Sequence, residues 1–331
     1  MVNGMKVIDI HRHFWKAEYW SESVMRQFAI VASTRKFPYA DVEKLMPKIR
    51  EARIADPDET KIIGEMDYLG TDIALLHHMD FGMMFKDKEL ISVEEINKIH
   101  CDLAKKYPGR VFAMIGVDPR RPEGIELFEK GVTEWGAVGL NFNPNFGYYP
   151  DDPVCYPYYQ KCLELDVPLD IHVGYQHWPA GRSKWGAQPM PHMDDLTADF
   201  PDLVVIMNHT GMDTRASSYV WEQCVSIAET RVNVYLELAD WPRRLVRVMD
   251  DMPELIRKLK IMRDAVGAHR IIYGSDQPGI SRADDELTKQ FIELLVDLPA
   301  QAKKYGVDFS KEEVELIMYG NAERIFKRMK T

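Results

Sequence analysis

The chain has 331 residues, 46% hydrophobic and 28% charged, a balance that builds a large globular core and excludes a disordered or fibrous chain. With 52 acidic against 42 basic residues the net charge is −10, so the field of the whole molecule repels nucleic acid and anionic lipid. No apolar run approaches the roughly 20 residues that cross a bilayer, and Cys101, Cys155, Cys162 and Cys224 form no CxxC pair and are too sparse for a disulfide framework; the expectation is a cytoplasmic protein with reduced thiols and neither a nucleic-acid nor a membrane partner.

The first strand-like run lies at residues 6–10, and others follow at 72–76, 111–116, 137–140, 168–171, 203–207, 232–236 and 270–273. Helical patterns separate them at 93–106, 122–134, 156–165, 193–200, 219–229, 255–266 and 284–298. Eight strands alternating with helices predict an α/β fold, a closed (β/α)8 TIM barrel first and an open doubly wound sheet second. The length permits a single domain over 1–331. One stretch breaks the rhythm: an insertion at 14–70 after strand one, with Trp15, Tyr19, Trp20, Phe28, Phe37, Tyr39 and a helical run at 41–53. Its aromatics are expected to form a small core of their own rather than a lid over the barrel mouth. The tail at 311–330 reads as closing helices.

Polar residues collect at the carboxyl ends of these strands, which in a barrel converge on one mouth. Strand one ends in Ile10-His11-Arg12-His13, and alternation puts His11 and His13 on one face about 7 Å apart. Strand five ends in Asp170-Ile171-His172, strand six in Asn208-His209 and strand eight in Gly274-Ser275-Asp276. A single histidine after a strand is ordinarily a packing residue; four histidines at three such ends and an aspartate at a fourth are a constellation. Neutral imidazoles with one carboxylate suit one divalent ion, Zn first, with Mn, Fe and Co also compatible. Such an ion lowers the pKa of a bound water and polarises a substrate oxygen, and a histidine outside the ligand set is free to move protons near pH 7. His77 and His78 end strand two, and Asn141 and Asn143 close strand four; of these His77 and Asn141 are expected substrate contacts. A carboxylated substrate calls for an arginine clamp. Arg12, Arg182 and Arg215 are the candidates, and the sequence does not choose among them. His177, Trp178, Arg182, Trp185 and His192 lie in a long loop after strand five that reads as a cover or a surface excursion.

Taken together, Asp9-Ile10-His11-Arg12-His13, Ala137-Val138-Gly139-Leu140-Asn141, the His172 strand, Asn208-His209-Thr210-Gly211, Tyr273-Gly274-Ser275-Asp276-Gln277-Pro278 and Gly320-Asn321-Ala322-Glu323-Arg324-Ile325-Phe326 resemble the metal-dependent amidohydrolase superfamily. Within it the resemblance is to the amidohydrolase-related branch that includes aminocarboxymuconate semialdehyde decarboxylase. The resemblance implies that His11, His13, His172 and Asp276 hold the metal, and that His209 is the catalytic acid/base, with Asp276 also catalytic through the bound water. It further implies a homodimer acting on a small organic acid or lactone. Binuclear relatives bridge two ions with a Lys or Glu after strand four; Leu140-Asn141-Phe142-Asn143 stands there, which favours one ion. Non-oxidative decarboxylation is the first expectation. Hydrolysis of a lactone or amide by the same site is the alternative, encouraged by Val173 after His172 and Thr210 after His209. A binuclear redox enzyme subunit, with Glu237, His77 or His78 as added ligands, is the third.

Overall fold

The computed structural model describes residues 1–34, 38–53, 59–85, 90–175, 189–211, 218–244, 251–278 and 282–329. Among the described residues nine strands run parallel in chain order: β1 (Ile8–His13), β2 (Ile73–His77), β3 (Val111–Ala113), β4 (Ile115–Gly116), β5 (Leu140–Phe142), β6 (Leu169–His172), β7 (Val205–Asn208), β8 (Val234–Glu237) and β9 (Ile271–Ile272). β3 and β4 are halves of one barrel strand interrupted at Met114, whose N–H bonds the Leu76 carbonyl at 2.9 Å while the next N–H, of Ile115, turns to the Gly139 carbonyl at 2.9 Å. β9 and β1 meet through Ile10 N–H to Tyr273 O (3.3 Å), Asp276 N–H to His11 O (2.8 Å) and His13 N–H to Gln277 O (2.6 Å). The molecule is therefore the expected α/β TIM barrel, of eight strands counted as units.

Most crossovers are helical: α1 (Glu22–Ser33), α2 (Val42–Arg53) and α3 (Lys61–Leu69) between β1 and β2, α4 (Val93–Lys106), α5 (Gly124–Thr133), α6 (Tyr156–Leu165), α7 (Pro189–Asp199), α8 (Ser218–Thr230), the short α9 (Trp241–Arg244), α10 (Met252–Val266) and α11 (Arg282–Val296). Then come α12 (Leu298–Lys303), α13 (Lys311–Glu315) and α14 (Asn321–Ile325). α4 shows why such segments coil: the Ser92 hydroxyl accepts the Glu95 N–H, Glu94 and Glu95 occupy the positive first turn, and Lys105 and Lys106 the negative last one.

Two apolar layers result. Ile8, Ile10, Leu75, Ile206, Tyr235 and Ile272 fill the barrel, floored by Ala322, Ile325 and Phe326, while a larger layer packs the strands' outer faces against the helices. The aromatics after β1 form a third cluster, with Trp20, Val24 and Met25 buried. It is not self-contained: Phe81 from the loop after β2 and Phe146 from the loop after β5 belong to it, and Trp15 stacks on His13 with ring centroids 4.5 Å apart. Among the described residues no helix is long and apolar enough to cross a membrane.

Candidate metal centre and active site

Side-chain parity builds the site. On β2, β7, β8 and β9 the inner apolar residues Leu75, Ile206, Tyr235 and Ile272 are each followed two positions later, nearer the mouth, by His77, Asn208, Glu237 and Gly274. The floor of the barrel is thus apolar and its carboxyl end polar. β1 needs a device to join this pattern, because Ile8 and Ile10 face inward and unbroken alternation would send His11 out. That device is an extra residue: Asp9 pairs with Ala74, but Arg12 pairs with Leu76. The bulge resets the alternation, and His11 and His13 come inward with ring centroids 5.1 Å apart.

Asp276 follows β9 in a left-handed conformation, φ +59°, anchored by its N–H on the His11 carbonyl. Ser275 before it donates from N–H and Oγ to the buried Asp9 carboxylate, at 2.8 and 2.5 Å. This turn aims Asp276 Oδ1 to 3.0 Å from His13 Nε2 and 3.6 Å from His11 Nε2. His11, His13 and Asp276 each offer one donor atom within 4.8 Å of the others, and so, as a second set, do His11, His209 and Glu237. Two imidazoles and a carboxylate without a thiolate fit a divalent ion of the nitrogen and oxygen class. Burial holds His11 neutral, its pKa down at about 3 despite the opposing pull of Asp276, and a neutral imidazole is the form that binds metal.

His209 sits on the turn after β7 with φ +59°, followed by Thr210 at +46° and Gly211 at +72°. Two successive non-glycine residues in this region cost energy that neighbours must offset. Glu237 Oε2 accepts the His209 N–H (3.0 Å), the Glu237 carbonyl accepts the Thr210 hydroxyl (2.8 Å), and Trp241 Nε1 donates to the His209 carbonyl (3.0 Å). His209 Nδ1 is 3.1 Å from the Ala239 carbonyl, a contact only its N–H can make, which leaves Nε2 as the proton-exchanging nitrogen. Its ring lies 5.0 Å from those of both His11 and His172.

Glu237 is wholly buried, both carboxylate oxygens 3.1 Å from His11 Nδ1. Burial pushes it up to about 8, against the pull of His209. Gly274 makes room for this contact: a Cβ there would stand 2.6 Å from Glu237 Oε1 and 2.9 Å from His11 Cβ. His77 stacks on His11 at 4.4 Å, and Asn141 donates to Asp170 Oδ1 at 2.9 Å with its Nδ2 3.4 Å from His77 Nδ1. Burial, then the neighbouring Glu237 charge, raise Asp170 well above the usual carboxylate range.

Of the expected ligands, His11, His13 and Asp276 meet, whereas His172 joins neither donor set and packs beside His209. His77 and Asn141 reach the mouth. Arg12 does not: it lies between two inward residues, so it faces outward, fully buried, where Nη2 donates to Glu65 Oε2 of α3 at 2.5 Å. The expected substrate contact at Arg12 is corrected to an ion pair between β1 and α3. Arg215 lies outside the described residues, as do Phe37, His177, Trp178, Arg182 and Trp185. His192 is on α7, stacked on Tyr149 and bonded to Asp151 at 2.8 Å. Asp170 stands in the strand-five end without a role assigned from the sequence, and Glu237 only as an added ligand; their signal is an acid inside an otherwise apolar strand.

A family profile described as Amidohydrolase matches residues 8–328. The chain is 26% identical over 355 residues to 2-keto-4-carboxy-3-hexenedioate hydratase from a Sphingobium species, covering 98% of this chain and 97% of that protein. The solved structure of 5-carboxyvanillate decarboxylase from Novosphingobium aromaticivorans, which holds manganese and 4-hydroxy-3-methoxy-5-nitrobenzoic acid, shares the fold with a TM-score of 0.66 at 18% identity, covering 98% of this chain and 96% of that one. That of 4-oxalomesaconate hydratase from Rhodopseudomonas palustris does so with a TM-score of 0.58, 18% identity and coverage of 98% and 96%.

Proposed function

The chain belongs to the amidohydrolase family, and on that premise we propose that it is a metal-dependent enzyme that removes carbon dioxide, without redox chemistry, from a small carboxylated organic acid. The observation that carries this reading is the convergence of His11, His13 and Asp276 on one point, with the buried His209 ring 5.0 Å from that of His11. His11, His13 and Asp276 hold the ion, with His172 as the fourth donor by its residue type and its place at the end of β6. Zn is the first choice and Mn, Fe or Co the others. When bound, a divalent ion supplies Lewis acidity, neutralising a substrate carboxylate and its neighbouring oxygen.

The chain's own residues do the rest. His209, fixed through Nδ1 on the Ala239 carbonyl, delivers a proton from Nε2 to the substrate carbon as its bond to the carboxylate breaks and the electron pair stays behind. The stacked and hydrogen-bonded His77 and Asn141 orient the substrate, and Arg215 is the proposed carboxylate clamp. The low-dielectric mouth strengthens each of these contacts. The expected homodimer belongs to the same proposal and rests on the family resemblance; sedimentation velocity tests it.

A second reading, hydration of an unsaturated keto acid, is favoured by the hydratase that matches this chain over nearly its whole length. There His209 takes a proton from water as the water oxygen bonds one carbon of the double bond, and a proton is returned to the other carbon. The deciding assay offers the metal-loaded protein a panel of hydroxybenzoates and muconate-like acids, unsaturated keto acids and lactones. Carbon dioxide release is the expected outcome; loss of double-bond absorbance without carbon dioxide would establish hydration, and acid release from lactones the hydrolytic alternative. Elemental analysis should give close to one ion per chain. Two, especially of iron, would move the reading to binuclear redox chemistry.

A further inference from the structure

We infer that Glu237 is the positioning residue of the metal centre: its carboxyl oxygens accept a hydrogen bond from the His11 Nδ1 N–H, which leaves Nε2 as the metal-binding nitrogen, aimed toward Asp276. The inference rests on the reading of His11 as a ligand. A neutral imidazole carries one N–H, and whichever nitrogen meets a carboxylate keeps it. Glu237 presents both oxygens to Nδ1 at 3.1 Å, while Nε2 lies on the far edge of the ring, 3.6 Å from Asp276 Oδ1.

The carboxylate is held in that pose from three sides. The His209 N–H binds Oε2 at 3.0 Å, Gly274 leaves a space that any Cβ would fill, and β8 carries the residue on the inner face above Tyr235. One carboxylate therefore ties the ligand on β1 to the acid/base turn after β7. The competing use of the same atoms is a second ion between His11, His209 and Glu237. Against it, two N–H donors, the His209 backbone and His11 Nδ1, already occupy the Glu237 oxygens.

The test uses the purified full chain with zinc alone, titrated against a chromophoric chelator, and the absorption spectrum of the cobalt(II)-loaded protein. Glu237→Ala should bind zinc about 10–100-fold more weakly. Glu237→Gln keeps an oxygen that accepts from His11 Nδ1, so it should stay within about tenfold of wild type while its cobalt bands shift. If Glu237→Ala fails to fold, the Glu237→Gln spectrum decides. Affinity and spectrum like wild type in the folded variants would overturn the inference, as would two zinc ions in the wild type and one in both variants, which would make Glu237 a ligand. His11→Ala is the control on the underlying reading. If it keeps zinc, the ligand assignment itself falls; if it loses zinc while the Glu237 variants keep it, only the positioning role falls.

Discussion

At the residue scale the two roles proposed for the mouth separate cleanly under mutation. His209→Ala removes a ring whose nitrogens serve a backbone carbonyl and the proton transfer, so metal content should stay near wild type while kcat falls about 10²–10⁴-fold. Parallel loss of metal, read by elemental analysis, would make His209 a ligand. Asp276→Ala deletes the carboxylate that lies within 3.6 Å of both β1 histidine Nε2 atoms. The variant should lose its ion on dialysis while the far-ultraviolet circular dichroism persists, and full activity would remove Asp276 from the site. These residues were legible because histidine and aspartate at strand ends are chemically conspicuous. Arg12 misled for the complementary reason: a cation beside two ligand histidines invites a substrate role, yet strand alternation directs it outward to Glu65. Glu237 was half legible, since its residue type announces a polar task but only the fold shows that His11 Nδ1 and the His209 N–H converge on it.

At the element scale, apolar periodicity located every barrel strand but ended most of them early. Observed strands run on to His13, His77, Phe142, His172, Asn208 and Glu237, where an apolar run had stopped at residues 10, 76, 140, 171, 207 and 236. The ladder depends on backbone N–H and C=O groups, so polar side chains at the mouth pair as well as apolar ones. α4 and α6 match their periodic patterns end for end. α1 and α3 were not singled out; α3 is a nine-residue helix containing Gly64, too short and too broken for period alone to reveal. The β1 bulge has no sequence signature either, and it is what points His11 inward. Between elements the buried Asn97 of α4 makes a tie that a hydrophobic pattern does not disclose. Its Oδ1 accepts the Gly116 N–H and its Nδ2 donates to the Gly116 carbonyl, both at 2.9 Å. Asn97→Ala should cost about 3 kcal/mol in urea unfolding, because the N–H and C=O of Gly116 are left buried without that partner. A change below about 1 kcal/mol would show that water replaces the amide.

For the whole molecule, acid stability is set by groups of opposite sign. Burial raises the pKa of Asp9 and Asp170, so their protonation favours the fold as pH falls. Burial lowers His78 to about 4 and His100 well below its ordinary range, so the unfolded chain takes up those protons first, and stability is lost as pH falls below about 6.5. The net curve mixes these contributions, and a variant isolates one of them. His100 is fully buried on α4 between Phe14, Tyr19 and His78, with ring centroids 5.9 Å from each. Among the described residues no side chain bonds its nitrogens, so a phenyl ring there breaks no side-chain hydrogen bond, although it gives up the polar contact with the Phe14 backbone. Above pH 7 the offset between His100→Phe and wild type should not change with pH. Below about pH 6.5 the variant should gain on wild type by up to about 1.4 kcal/mol per pH unit, measured by urea unfolding at successive pH values. Parallel curves down to pH 5 would mean that the wild-type imidazole charges inside the fold. The same measurement marks the window in which metal loading can be tested without unfolding, because the β1 ligands lie in the barrel that His100 helps to brace through Phe14, the residue that follows His13.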